Sequence, residues 1–220
     1  MDPLKLALID TFIHKSERSA NRCRELAQYT KIRLEQENPN IEGLTLERRI
    51  ASLSKIKNWD LVAPQRGRPR LAVSFKAYAS KGTKNVSNRL DEILGELSEM
   101  QNMHPEVISG YVMAIDLDKL GDGSIDHSES RFSDLIEKLT RVTIRNAPAW
   151  MPGTLEAFLL IGIRLSGSDS VSVEKLASYN HRGEMDFFKA LSDHYKDRFE
   201  PEELEAGTES NTRIPKKPGT

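Results

Sequence analysis

Cysteine is nearly absent: Cys23 is the only one in 220 residues. That excludes an internal disulfide and a cysteine-based zinc cluster, and fits a reducing compartment. Cys23 itself lies in NRCREL on a predicted helix, the setting of a half-buried structural thiol and not of a nucleophile. Long apolar runs are missing as well. No stretch approaches the ~20 residues a bilayer-spanning helix needs, and the opening MDPLKLALIDTFIHKSER is amphipathic and carries acids, unlike a signal peptide. The expected location is the cytoplasm, without a membrane partner. Nor is there a surplus of one charge. With a formal net charge of -1, only the placement of charges bears on a nucleic-acid partner. Internal repeats are lacking, and His14, His104, His127, His181 and His194 are scattered without metal-ligand spacing.

What is present reads as an ordinary globular chain, 38% hydrophobic and 30% charged, of a length that suits one domain. Residues 3–37 carry apolar side chains at helical spacing (Leu4, Leu8, Ile9, Phe12, Ile13, then Leu26, Tyr29, Ile32, Leu34) up to the breaker NPN. LERRIASLSKI is expected to be helical or irregular. WDLVA and LAVSFKAY are apolar runs joined by the turn-rich, basic PQRGRPR, a β-hairpin pattern. Behind the loop SKGTKNVSN, Ser87 or Asn88 is expected to cap the helix NRLDEILGELSEMQN, whose apolar stripe is Leu90, Ile93, Leu94, Leu97 and Met100. ISGYVMAIDL and LEAFLLIGIRL have the near-continuous apolar character of buried strands, and RFSDLIEKLTRV and EMDFFKALSDHYKDRF are amphipathic helices. The expected class is therefore α/β (α+β), with helices around a small central sheet. One domain spans 1–200: a mainly helical opening at 1–50, a core at 56–165 and a closing helix at 184–200. The segment 201–220 has no apolar stripe and is expected to be a flexible tail.

Within LAVSFKAY, strand alternation sends Leu71, Val73 and Phe75 to one face and Ala72, Ser74 and Lys76 to the other. An ammonium on an otherwise apolar strand either snorkels out at the strand end or meets an acid. Asp60, on the other strand of the hairpin, is the nearest acid to offer.

An Asp on one strand, followed by a Lys at this place on the next, resembles the PD-(D/E)XK nuclease superfamily. The ordered blocks KNWDLV, AVSFKAY, NVSNRLDEILGEL and GYVMAIDLDK are similar to type II restriction endonucleases of the XhoI type, with Asn88, Arg89, Asp91 and Glu92 matching the helix block. The resemblance implies a restriction-endonuclease-like central mixed β-sheet flanked by helices and a Mg²⁺-dependent hydrolysis of phosphodiester bonds in double-stranded DNA at a short palindrome. It further implies Asp60 as metal ligand, the Phe75 carbonyl as another, and Lys76 at the attacking water. The departure is Ser74, which stands where the family has a second metal carboxylate. Some superfamily members with serine there take that carboxylate from the following helix. Glu92 and Glu96 lie one turn apart on one face of that helix; Glu92 is the first choice and Glu96 the second. The catalytic set is then Asp60, Lys76 and Glu92.

Lys81, Lys84, Asn88 and Arg89 flank this set and are candidates for phosphate contact. Arg66 and Arg68, in a sequence like an AT-hook core but pinned between two apolar runs, are read as a basic hairpin tip at DNA phosphates. DKLGDGSIDHSE mimics a calcium loop, yet Leu120 occupies a position that needs an oxygen ligand, so it is read as a polar turn. Trp150, in a Pro-rich turn, is read as a packing residue.

Reading a palindrome calls most simply for a two-fold homodimer, with the 155–165 strand or the N-terminal helix as the interface. No organic cofactor is expected. Two other readings stay open: a catalytically inactive nuclease-fold DNA-binding protein, motivated by Ser74, and a helical protein-interaction module without DNA binding.

Overall fold

The structure is a computed structural model that describes residues 2–15, 21–79, 83–120, 125–147, 150–167, 169–178 and 184–200, and of 83–87 and 89 the backbone alone. The expected tail at 201–220, Lys81, and the side chains of Lys84 and Arg89 lie outside the described residues.

Six strands, β1 (Thr45–Ala51), β2 (Ile56–Gln65), β3 (Arg68–Tyr78), β4 (Ile108–Asp116), β5 (Ala157–Ser166) and β6 (Ser170–Ser178), form one sheet in sequence order. The central pairs β3–β4 and β4–β5 are parallel and the outer ones antiparallel. Parallel neighbours need a crossover, and helices supply it: α3 (Thr83–Met103) between β3 and β4, α4 (Ile125–Val142) between β4 and β5. Both pack on one face of the sheet. Leu90, Ile93, Leu97 and Met100 of α3 are buried there with Ala72, Tyr111 and Met113, each large apolar side chain contributing about 1.5–3 kcal/mol. The other face carries α1 (Pro3–Ile9), α2 (Arg24–Glu37) and α5 (Glu184–Phe199), packed on Leu71, Val73, Phe75 and Val112. The chain is thus a mixed α/β fold, a six-stranded sheet flanked by helices. With this sheet the chain is not an all-helical module.

Four expectations are corrected. The helical pattern of 3–37 is broken: α1 runs into a π-helical turn, Asp10–His14, and α2 begins only at Arg24. Between Ile13 and Leu26 the sequence offers Cys23 as its one sizeable apolar side chain, too little to hold a helix on the sheet. LERRIASLSKI belongs largely to edge strand β1, and no clear sequence signal announces β6. Helix α3 starts at Thr83, so Ser87 and Asn88 lie inside it and do not cap it. Finally, β5 is paired along both edges and buried from Ala157 to Ile163, so the 155–165 strand cannot be a dimer interface.

Candidate functional site

The hairpin closes through Arg66 (φ 50°) and Gly67 (φ 78°), consecutive left-handed residues that give a two-residue primed turn suited to the twist of the strands. Its ladder runs from Gln65↔Arg68 to Leu61↔Val73. Beyond that pair, β3 continues to Tyr78 alongside β4. Asp60 stands where β2 leaves β3, and its carboxylate takes over from the ladder: Oδ2 accepts the Phe75 N–H at 2.8 Å and the Ser74 hydroxyl at 3.3 Å. A strand residue turns its N–H and carbonyl to the same edge, so the Phe75 carbonyl faces this gap too.

Ala72 packs in the α3 cluster, while Leu71, Val73 and Phe75 pack in the opposite one. By strand alternation Ser74 and Lys76 therefore share the α3 face. Burial pushes the Asp60 carboxyl up, and the Phe75 N–H, Lys76, Lys57 and Ser74 pull against that only in part. The carboxylate is thus a buried negative charge short of compensation.

Residues from the turn before α2 and from β4 lie close to this gap. Arg22, 8% exposed, donates through Nε to the Thr11 carbonyl at 3.1 Å and through Nη1 to the Ala77 carbonyl at 3.3 Å, next to Lys76 on β3. Cys23, at the N-cap of α2, has its thiol pushed up to about 12 by burial first and then by Asp60, against Arg22 and Lys76. It is therefore a protonated, structural thiol, not a nucleophile. Tyr111, fully buried, pairs with Ser74 across the β3–β4 ladder; burial first, then Tyr78, Cys23, Glu92 and Asp60, hold its phenol well above the ordinary value. Arg22 and Tyr111 escape a reading of the sequence, where neither interrupts a pattern.

Helix α3 brings its acids to this face unequally. Glu92 is exposed, with its charge felt by Tyr111. Glu96 ion-pairs with Lys57, whose ammonium lies 4.9 Å from the centre of the Trp59 ring, and approaches Lys55 at 4.0 Å. Glu99 accepts the hydroxyls of Ser52 at 3.0 Å and Ser54 at 2.8 Å. The two later acids thus tie α3 to the β1–β2 connection.

Among the described residues, no group of three His, Cys, Asp or Glu converges on a cation. Magnesium does not require such a cage: it is held by one or two carboxylates and several waters. Asp60, Glu92 and the Phe75 carbonyl are the hard oxygen donors it takes, and the uncompensated Asp60 is the feature a divalent cation would relieve. By donor type these oxygens suit the ion.

Arg66, Gly67 and Arg68 are exposed at the hairpin tip, and Asn88 is exposed on α3. In the calcium-like loop, residues 121–124 lie outside the described part; Asp118 pairs with Arg164 at 2.6 Å and Glu129 with Lys175 at 3.1 Å. Trp150 packs 3.7 Å beneath the Arg198 guanidinium.

At the start of β4 and β5 lies a buried ionic cluster that the sequence did not announce. Glu156 Oε1 accepts from Arg198 Nη2 at 2.6 Å and lies 3.0 Å from Arg145 Nε, and Oε2 accepts the Ser109 N–H at 2.7 Å. Every group there has a structural role, binding the Trp150 turn and α5 to the sheet.

No protein-family profile and no curated protein matches the chain. Among solved structures, Pyrococcus furiosus SfsA in complex with Ca²⁺ is similar at 12% identity, over 69% of this chain and 62% of that one, with a TM-score of 0.32. The chain therefore spans under two thirds of that protein, and the likeness is too slight to bear on its chemistry. No helix among the described residues is long and apolar enough to cross a membrane.

Proposed function

We propose that this chain is a Mg²⁺-dependent type II restriction endonuclease that hydrolyses phosphodiester bonds in double-stranded DNA at a short palindrome. The observation that carries the proposal is the buried, under-compensated Asp60 at the gap between β2 and β3, with Lys76 on the strand face of Ser74 and its positive charge acting on Asp60. A structural aspartate alone would be better placed in water. A carboxylate kept at such a cost, beside a lysine that emerges from an apolar strand, has the character of a site awaiting a cation.

In this reading Asp60, Glu92 and the Phe75 carbonyl hold Mg²⁺, and Glu96 remains the second choice because it already serves Lys57. The ion supplies charge stabilisation at the phosphate and a more acidic bound water. Lys76 positions that water and stabilises the charge that develops on the phosphate oxygens. Ser74 holds Asp60 in place of ligating. Arg66 and Arg68 at the tip, with Lys81, Lys84, Asn88 and Arg89, bind the phosphate backbone. Two copies related by a two-fold axis read the palindrome, and the N-terminal helices, where Leu6 is 50% and Ile32 44% exposed, are the surface proposed for the second copy.

Ser74 also favours a second reading, a nuclease-fold DNA-binding protein without catalysis. Incubating the protein with mixed plasmid and genomic DNA in Mg²⁺ and in EDTA separates the two. Discrete fragments in Mg²⁺ alone are expected; salt-sensitive binding without any cleavage would establish the inactive binder instead.

A further inference from the structure

Tyr111 is one of several buried polar groups without a partner, and it is the one whose register partner bonds Asp60. It sits in the middle of β4, 0% exposed, packed among Leu90, Ile93 and Met113, yet its hydroxyl has no hydrogen-bond partner among the described residues. Leaving a buried hydroxyl unmade costs roughly 1–3 kcal/mol, and phenylalanine would fill the same space without that cost. An unsatisfied polar group in a packed core therefore calls for a cause outside the folded chain.

Its position supplies one. Ser74 and Tyr111 are register partners on β3 and β4, so their side chains stand next to each other on the α3 face. Ser74 turns its own hydroxyl toward Asp60. It is also the residue that stands where a longer acidic side chain is expected. A phenol reaches well past a serine, and the charges of both Glu92 and Asp60 act on this one.

We propose that Tyr111 is a positioning residue of the divalent-cation site: its hydroxyl donates a hydrogen bond to a cation-bound water in the space beside the short Ser74 side chain. The proposal rests on the reading of Asp60 and Glu92 as ligands. It assigns Tyr111 no proton transfer, only the orientation of a water, in the way that outer groups orient the ligands of other metal sites.

The test compares the wild type with Tyr111→Phe in two measurements that need no DNA: thermal unfolding without metal, and Mn²⁺ affinity by titration calorimetry. The metal-free Tm of Tyr111→Phe should equal or exceed that of the wild type, because a hydroxyl without a partner is removed. Its Mn²⁺ dissociation constant should rise roughly 10–100-fold, the usual cost of losing such an outer partner. Equal affinities would overturn the role of Tyr111 and leave the cation site standing. A lower metal-free Tm would also overturn it, since the hydroxyl would then already be bonded within the fold. A wild type that takes up no Mn²⁺ would overturn it together with the metal-dependent function on which it depends.

Discussion

Replacing Arg145 by Met should be among the most destabilising single changes available in this protein. The Arg145 side chain is 0% exposed and donates through Nη1 to the carbonyls of Trp150 at 2.6 Å and Met151 at 2.9 Å, and through Nη2 to that of Pro105 at 2.5 Å. It also lies 3.0 Å from Glu156. Methionine fills most of the volume but serves none of these oxygens. Removing one member of a buried ion pair costs about 3–5 kcal/mol, and the orphaned carbonyls add about 1 kcal/mol each. Relaxation of the turn recovers part of this, so the expected loss is about 5 kcal/mol, the upper end for a point substitution. For a domain of this size that lowers Tm by roughly 10–20 °C.

The loss should also depend on pH. Burial, opposed by Arg198 and then Arg145, sets the Glu156 carboxyl at about 7. Without Arg145 it is protonated still more readily in the folded state. A folded-state pKa that moves up contributes stability at low pH that is lost as pH rises through it, so the deficit of the variant should grow from about pH 6 to about pH 8. Urea unfolding at both pH values measures it. A loss under about 1 kcal/mol, or the same loss at both pH values, would refute the account of this cluster.

Asp60→Asn should raise the metal-free Tm at neutral pH while abolishing cleavage. Burial lifts the folded-state carboxyl above its ordinary value, so its contribution to stability is present in acid and lost as pH rises; melts from acid to neutral pH should show the variant gaining on the wild type. A variant less stable than the wild type at neutral pH would mean that Asp60 is an ordinary structural anion. Arg66→Ala with Arg68→Ala should reduce the steepness of log Kd against log salt by roughly 2, about 0.9 for each phosphate no longer neutralised, in a fluorescence anisotropy titration. An unchanged slope would place the hairpin tip away from DNA.

The parts legible in the sequence are those in which one residue pattern decided the outcome. The hairpin, β4, β5 and the helices α3, α4 and α5 follow from apolar runs and stripes. Strand β1 was hidden because Leu46 and Ile50 are four apart, a helical spacing. In the fold Glu47 takes a left-handed φ of 53°, and Leu46 then packs with the cluster on one face and Ile50 with that on the other. No periodicity rule anticipates that reversal.

The candidate site divides in the same way. Asp60 and Lys76 announced themselves as charges within apolar runs. Tyr111 did not, because an aromatic residue in a buried strand is ordinary until the register sets it beside Ser74. Arg22 was equally silent. Only the departure of β2 from β3 and the placement of α2 bring it to the Ala77 carbonyl. Arg145, Glu156 and Arg198 resemble solvated charges when spread along the chain, and become a buried cluster only through tertiary packing.

The central claim is tested most directly by Mg²⁺-dependent cleavage of mixed DNA, comparing the wild type with Lys76→Ala and Glu92→Ala. Discrete fragments from the wild type, lost in EDTA and reduced at least ~10²-fold in each variant, are the predicted result. Fragments that survive Lys76→Ala undiminished would contradict the assignment of this site.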